Sequence, residues 1–220
     1  MKADKRIALI AGATGLTGGH LLRLLLADAR YARVNAAVRK TSLVKDKKLT
    51  ELVVDFDHLP ALPDADDVFC CLGTTIRKAG SQAAFRKVDF DFVVNLAIAA
   101  KRAGCKRFLV VSAIGANAKS AVFYSRVKGE MENALRETGF DALHIFQPSF
   151  LTGDRLESRA GEGFGIAVFS AMAPLMLGPM KKYRPIAAKS VAQAMLNAAW
   201  LETPGVAVYD SAQITLVAGL

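Results

Sequence analysis

Apolar residues occur along the chain in two alternating patterns, which predict a parallel sheet covered by helices. Continuous apolar runs, typical of strands buried on both faces, precede Gly12 and recur at 34–39, 49–56, 66–73, 107–116 and 142–150. Segments with helical spacing lie between or after them, at 20–29, 83–103, 124–137 and 188–201. This alternation predicts an α/β fold with a doubly wound parallel sheet, helices on both faces and a ligand at the carboxyl ends of the strands.

The first strand leads into a glycine-rich turn, GATGLTG, that suits the phosphates of a dinucleotide. Gly12 permits the turn, Gly15 lets the backbone approach a pyrophosphate, and Gly18 lets the helix pack closely on the strand. The helix N-terminus favours an anion, and Thr14 and Thr17 could offer hydroxyls to phosphate or cap the helix. A plain strand-to-helix turn is the alternative, but the strand before it and the helix after it favour a dinucleotide site.

Tyr124 and Lys128 form a Tyr-x-x-x-Lys motif, which places both side chains on one face of a helix. A neighbouring ammonium favours the phenolate and lowers the pKa of a tyrosine, which can then transfer protons. Lys128 could also hydrogen-bond a nicotinamide ribose. Ser112, near the end of the fifth strand, could hold a substrate carbonyl while Tyr124 donates its proton. The alternative is a strand-end serine and an ordinary surface pair.

The residues after the second strand bear on the choice of cofactor. An acidic residue there would accept hydrogen bonds from the adenosine ribose, whereas Arg39 and Lys40 present cations that suit a 2′-phosphate. The sequence therefore favours NADP(H) over NAD(H). Asp55, which follows the third strand, could lie beside the adenine or simply cap the strand end.

With these motifs the chain resembles the short-chain dehydrogenase/reductase superfamily, and within it the atypical branch that contains the Tat-interacting-protein family of oxidoreductase-like proteins. The likeness covers nearly the whole chain and includes CCLGTTIRKAG (70–80), FRKVDFDFV (85–93), AGCKRFLVVSAIGA (103–116), VKGEMENAL (127–135) and DRLESRAGE (154–162). It implies a nicotinamide-binding Rossmann domain. The implied cofactor contacts are Gly12, Thr14, Gly15, Leu16, Thr17, Gly18, Leu72, Gly73, Thr74, Tyr124, Lys128, Leu151 and Arg159.

Two positions depart from the family pattern. Ala113 stands where many active relatives have a second serine, which leaves Ser112 as the only hydroxyl at that strand end. Gln147 precedes Pro148 where the family usually has arginine, which removes a cation near the substrate side. Either change could alter specificity or weaken the chemistry without harming cofactor binding.

Composition suits one compact domain over residues 1–220, because 52% of the chain is hydrophobic and 22% is charged. No cleavable apolar region follows the N-terminal MKADKR, and the three cysteines suit reduced thiols, so we expect a cytoplasmic protein. Neither C-x-x-C nor H-E-x-x-H occurs, so no metal is expected. The net charge of +9 could attract nucleic acid, but no aromatic residues interleave the basic cluster at 39–48, and we expect a solvated loop instead.

Residues 163–180 carry no charge and could in length approach a membrane span. Pro174 and Pro179 interrupt helix, so we expect no membrane insertion but a small substrate-side lobe within 151–187. This lobe would contact a small-molecule substrate or another subunit. The helices at 83–103 and 124–137 could pair in a homodimer or could simply cover the sheet.

These observations predict an NADP-dependent oxidoreductase that transfers a hydride to or from a small carbonyl or alcohol. Tyr124 would transfer the proton, Lys128 would lower the pKa of Tyr124 and hold the ribose, and Ser112 would orient the substrate oxygen. The alternative is a non-catalytic NADPH-binding sensor or protein-interaction module. A sugar-nucleotide epimerase is disfavoured, because the C-terminal part is short for a nucleotide-sugar lobe.

Overall fold

The main sheet has seven strands, all parallel, in the order β3-β2-β1-β4-β5-β6-β9. The computed structural model describes residues 5–41, 44–153 and 183–219. The strands of the sheet are β1 Arg6–Ala11, β2 Tyr31–Val38, β3 Leu49–Val53, β4 Asp67–Cys70, β5 Arg107–Val111, β6 Ala142–Gln147 and β9 Gly205–Asp210. From β1 to β3 successive strands are added towards one side of the sheet, and from β4 onward they are added towards the other, so the strand order reverses between β1 and β4. Doubly wound sheets bind ligands at such a point. The predicted fold class is confirmed.

Helices cover both faces of this sheet. They are α1 Leu16–Ala27, α2 Ile76–Ala79, α3 Gln82–Arg86, α4 Phe92–Arg102, α5 Phe123–Glu137, α6 Ala188–Ala198 and α7 Ser211–Val217. A π-helical turn, Lys87–Asp91, joins α3 to α4. A second, two-stranded sheet pairs β7 Leu151–Thr152 with β8 Ile186–Ala187 in parallel.

The core has two halves, one on each face of the sheet. Leu25 of α1 and Met195 of α6 belong to one half, and Leu96 of α4 and Met131 of α5 belong to the other; all four are fully buried. Burial of one such side chain contributes about 1.5–3 kcal/mol. Strands enclosed on both faces need apolar side chains in both directions, which explains the continuous apolar runs.

Several element boundaries differ from the sequence predictions. Helix α1 begins at Leu16, whereas the helical pattern in the sequence begins at residue 20. The pattern missed the start of the helix because glycines there weaken it. The segment predicted as one helix at 83–103 is instead α3, the π-helical turn and α4. Strands β5 and β6 end before the loops at 112–116 and 148–150, which the apolar runs had included.

The sequence analysis missed the last strand and helix, β9 and α7. Strand β9 lies at the edge of the sheet, and both Val206 and Val208 are exposed on it. Its sequence nevertheless contains a short continuous apolar run, VAVY at 206–209, so a signal for the strand was present. A signal for α7 was present too, because Asp210 and Gln213 have capping-box spacing and form that box at the start of the helix.

Part of the predicted substrate-side lobe at 151–187 lies outside the described residues, as do the uncharged stretch at 163–180 and Arg159. Across the three described ranges, no helix is both long enough and apolar enough to span a membrane. Within the same ranges, no cluster of His, Cys, Asp or Glu side chains could hold a metal ion.

Candidate nucleotide-binding and active site

The glycine turn after β1 is so tightly packed that two of its glycines leave no room for a side chain. Gly12 has a φ of +82°, and a Cβ there would lie 2.5 Å from the Cys71 backbone. A Cβ at Gly18 would lie 2.1 Å from the carbonyl oxygen of Gly12. The turn, the first turn of α1 and the end of β4 are therefore in direct backbone contact, as a phosphate-binding turn requires.

Gly15 and Thr14 are exposed at the top of this turn. The Gly15 N–H donates to the Gly12 carbonyl over 2.9 Å, and a Cβ at Gly15 would meet only that carbonyl, at 3.2 Å. Gly15 is the N-cap of α1, so neither Thr14 nor the buried Thr17 occupies the capping position. The approach to the helix N-terminus is open at Gly15, which fits the backbone contact that a pyrophosphate makes.

Lys128 and Asp89 form a buried ion pair beside the loop that follows β4. The Lys128 Nζ lies 2.8 Å from Oδ1 of Asp89, and the two side chains are 4% and 1% exposed. Burial is the largest influence and opposes the charge on Lys128, but the Asp89 carboxylate, with smaller contributions from Tyr124 and Cys70, outweighs it and raises the pKa of Lys128. A Cβ at Gly73 would approach Asp89 Oδ1 at 3.4 Å and Lys128 Nζ at 3.9 Å. Gly73, predicted to contact cofactor, therefore lies beside this pair.

Tyr124 lies one helical turn before Lys128 on α5, as the motif predicts. Its ring packs on the buried ring of Phe85, with centroids 5.3 Å apart, and Phe85 also contacts Phe123 at 6.0 Å. Tyr124 itself is partly exposed. Its ring is thus supported from one side by α3, and the residue as a whole is partly exposed.

Ser112 is buried, and its hydroxyl donates to Oε1 of Glu132 over 2.5 Å. The Gln147 amide donates to both oxygens of Glu132, at 2.9 and 3.0 Å. Tyr124, Lys128 and Glu132 follow each other at intervals of four residues, so α5 presents all three on one face. Position 147, where the family usually has arginine, therefore faces a buried carboxylate.

Gly129 lets the loop after β5 lie directly on α5. A Cβ at Gly129 would lie 2.1 Å from the Ala118 nitrogen and 2.3 Å from the Asn117 carbonyl carbon. The Asn117 N–H also donates to the Ser125 carbonyl over 2.9 Å. This contact fixes the loop that follows Ser112 against the helix that carries Tyr124.

Arg39 and Lys40 are both exposed just after β2, at the carboxyl edge of the sheet. Asp55 is also exposed, and its carboxylate accepts a 3.0 Å hydrogen bond from the Asp57 N–H. This hydrogen bond lowers the pKa of Asp55. Asp55 thus makes the strand-end turn that was one of its two predicted roles.

The loop after β6 reaches the glycine turn. A Cβ at Gly153 would lie 3.3 Å from a methyl carbon of Leu16, and Gly153 directly follows β7, the strand that begins with Leu151. Two predicted contacts from distant parts of the chain, Leu16 and Leu151, are thereby brought to the same region. Leu72 and Thr74 belong to the loop after β4, which adjoins Gly12 through the Cys71 backbone.

Asp89 and Glu132 are functional candidates that the sequence analysis did not single out. A signal existed for Glu132, because it continues the four-residue spacing of Tyr124 and Lys128. For Asp89 there was none, since its contact with Lys128 spans separate elements.

A further cavity of about 330 Å³, lined by Arg184, Ile186, Ser211 and Leu216 among others, does not include the predicted site residues among its described lining.

Residues 12–199 match the NAD(P)H-binding protein family. The chain belongs to this family. It is 38% identical to protein HTATIP2 of Rattus norvegicus over 178 residues, which cover 78% of this chain and 73% of that protein. It is 34% identical to the mitochondrial protein fmp52 of Aspergillus clavatus over 202 residues, which cover 87% and 86%. The resemblance to the Tat-interacting-protein branch is confirmed.

Solved structures with the same fold include MoeE5 in complex with UDP-glucose and NAD, with a TM-score of 0.70, 16% identity and coverage of 92% of this chain and 74% of that one. The human epimerase family protein SDR39U1 with NADPH gives a TM-score of 0.64, 18% identity and coverage of 93% and 74%. At these identities the likeness concerns the fold alone. One of these proteins holds NAD and the other NADPH. The family match concerns NAD(P)H binding and does not select between the two cofactors.

Proposed function

We propose that this protein is an NADP(H)-dependent oxidoreductase that transfers a hydride to or from a small carbonyl or alcohol substrate. The observation that carries the proposal is the buried, charged Lys128 one turn from an accessible Tyr124, beside the loop after β4. A buried ammonium is costly, so it is retained where its charge serves a purpose. Proton transfer at Tyr124 is that purpose here.

The chain's own residues have separate tasks in this reaction. Gly15 would let the backbone approach the pyrophosphate at the N-terminus of α1, and Gly12 and Gly18 would keep the turn in the conformation that allows this approach. Lys128 holds the nicotinamide ribose and stabilises negative charge on Tyr124. When bound, the nicotinamide supplies or accepts the hydride at the substrate carbon. During reduction Tyr124 gives its phenolic proton to the carbonyl oxygen, and during oxidation it takes the proton of the alcohol.

Ser112 is assigned to the substrate oxygen, and its hydrogen bond to Glu132 affects how it can act. While its hydrogen lies on Glu132, its oxygen can still accept a hydrogen bond from an alcohol. To donate to a carbonyl, the hydroxyl must turn away from Glu132. The present arrangement therefore favours alcohol over carbonyl as the partner of Ser112.

Arg39 and Lys40 support the choice of NADP(H). Both are exposed cations immediately after β2, where a dinucleotide places its adenosine ribose. Guanidinium and ammonium groups bind phosphate through charge-assisted hydrogen bonds, which NADPH can accept at its 2′-phosphate and NADH cannot.

The second candidate is a non-catalytic NADPH sensor or interaction module. Two observations favour it: the Ser112 hydroxyl is engaged by Glu132, and Ala113 offers no second hydroxyl. A small-molecule substrate, a homodimer and a cytoplasmic location remain predictions, and the fmp52 relative is named as mitochondrial.

Turnover by Tyr124→Phe separates the two candidates. Loss of the phenolic hydroxyl removes the proton donor but keeps the ring on Phe85, so we expect at least about a hundredfold lower rate and unchanged NADPH affinity. The rate is read as NADPH oxidation by aldehydes, ketones and quinones, with Ser125→Ala on the same helix as the matched control. Equal rates in Tyr124→Phe and the wild type would refute the assignment, and binding without any turnover would favour the sensor.

A further inference from the structure

Asp89 is a buried carboxylate that connects two parts of the proposed site. It lies in the π-helical turn between α3 and α4, a backbone form that is frequent at functional sites. Oδ1 contacts the Lys128 ammonium at 2.8 Å, and Oδ2 accepts a 2.8 Å hydrogen bond from the Thr74 N–H. One side chain thereby ties the loop after β4 to α5.

Lys128 depends on this carboxylate for its charge. Burial is the largest influence on Lys128 and favours the neutral amine. Among the described residues, Tyr124 on its own helix and Cys70 at the end of β4 also influence this charge. Glu132 follows on the same helix face, but its carboxylate accepts hydrogen bonds from Ser112 and Gln147. Cys70 is a neutral thiol, because burial raises its pKa to about 12. Asp89 is therefore the carboxylate that compensates the ammonium.

We propose that Asp89 is a positioning residue that keeps Lys128 charged and directed at the nicotinamide ribose, while fixing the Thr74 backbone beside it. The inference rests on the proposed function, because it assigns Lys128 to the cofactor. It goes beyond that function by making the affinity for nucleotide depend on a carboxylate that does not itself touch the nucleotide. Without this carboxylate, burial would favour the neutral amine, and Lys128 would lose its proton more readily and with it a charged donor to the ribose.

The pH dependence of NADPH affinity tests this role without any substrate. Asp89→Asn keeps the shape of the side chain and removes its charge. We expect the wild type to bind NADPH equally well between about pH 7 and pH 9.5, because Lys128 stays protonated throughout. In Asp89→Asn the affinity should fall at least about tenfold over this range as Lys128 loses its proton. The nucleotide's own fluorescence measures the NADPH affinity of the wild type and of Asp89→Asn.

Asp57→Asn is the matched control, since Asp57 makes an exposed 2.7 Å ion pair with Lys87, in the same π-helical turn. It should behave as the wild type. Asp89→Glu keeps the charge and should bind with a pH-independent affinity, which a purely structural role would not predict; it also carries the test if Asp89→Asn does not fold.

An Asp89→Asn affinity that does not change with pH, or an Asp89→Glu affinity that falls as the pH rises, would overturn the inference. Failure of the proposed function is distinguishable, because it would appear in the wild type, either as no NADPH binding at any pH or as binding without turnover.

Discussion

At the scale of single residues, glycine positions in the first turn were readable from the sequence and buried carboxylates were not. Gly12 makes the predicted turn and Gly18 the predicted close packing, because backbone conformation and close approach are local requirements. Asp89 and Glu132 acquire their partners only when separate elements meet. Sequence spacing shows which residues share a helix face but not which group lies opposite that face.

Gly18→Ala should abolish tight NADPH binding and lower stability by about 1–3 kcal/mol, because its Cβ would lie 2.1 Å from the Gly12 carbonyl oxygen. Gly19→Ala is the matched control on the next residue, where the Cβ would meet its nearest atom at 3.5 Å. There we expect unchanged binding and up to about 1 kcal/mol of added helix stability. Thermal unfolding and NADPH titration of both variants check this, and normal binding by Gly18→Ala would contradict the packing of the turn.

At the scale of elements, the first six strands of the main sheet were predicted and the edge strand β9, with its short apolar run VAVY, was missed. The π-helical turn was also missed, because a helical pattern that continues through an extra residue looks like one helix. Strand β9 is nevertheless attached to β6 by more than its backbone. The His144 Nδ1 lies 2.9 Å from the Tyr209 hydroxyl, and the two rings stack at 5.9 Å.

His144 makes this strand pair sensitive to acid. Burial, with a smaller contribution from the Arg107 guanidinium, lowers the pKa of His144 to about 4. In the unfolded chain histidine titrates near about pH 6.5, so the unfolded state binds the proton first as the pH falls. Neutral His144 thereby contributes about 3 kcal/mol to the free energy of unfolding; this contribution is fully present above about pH 6.5 and is lost toward about pH 4.

Urea unfolding at about pH 7.5 and pH 4.5 measures this loss. His144→Gln keeps a hydrogen-bonding side chain that does not titrate, so its stability should fall less between the two pH values than that of the wild type. Equal losses in the two proteins would show that His144 does not couple folding to pH.

At the scale of the whole molecule, the two ends of the parallel strands differ. The carboxyl ends of the strands adjoin the glycine turn and the Tyr124–Lys128 pair, whereas a buried charge cluster lies at their amino ends, on the opposite edge. There Asp67 is fully buried, accepts a 2.7 Å hydrogen bond from the Tyr31 hydroxyl, and pairs with Arg6 and Arg107. The Asp67 carboxylate thus finds all of these partners within the protein, as buried polar groups generally do.

The chain's one tryptophan, Trp200, belongs to this opposite edge. The guanidinium groups of Arg6 and Arg30 lie over its ring, 3.8 and 4.5 Å from the ring centroid. A nucleotide at the carboxyl edge would not contact Trp200, so the fluorescence of the reduced nicotinamide is the more direct reporter of binding.

Titration of the wild-type protein with NADPH and with NADH, followed by nicotinamide fluorescence, tests the central claim most directly. Arg39 and Lys40 would contact only the nucleotide that carries a 2′-phosphate, so we expect binding of both with at least about tenfold preference for NADPH. Equal affinities would contradict the assignment of NADP(H). Absence of binding by either nucleotide would contradict the nucleotide site itself.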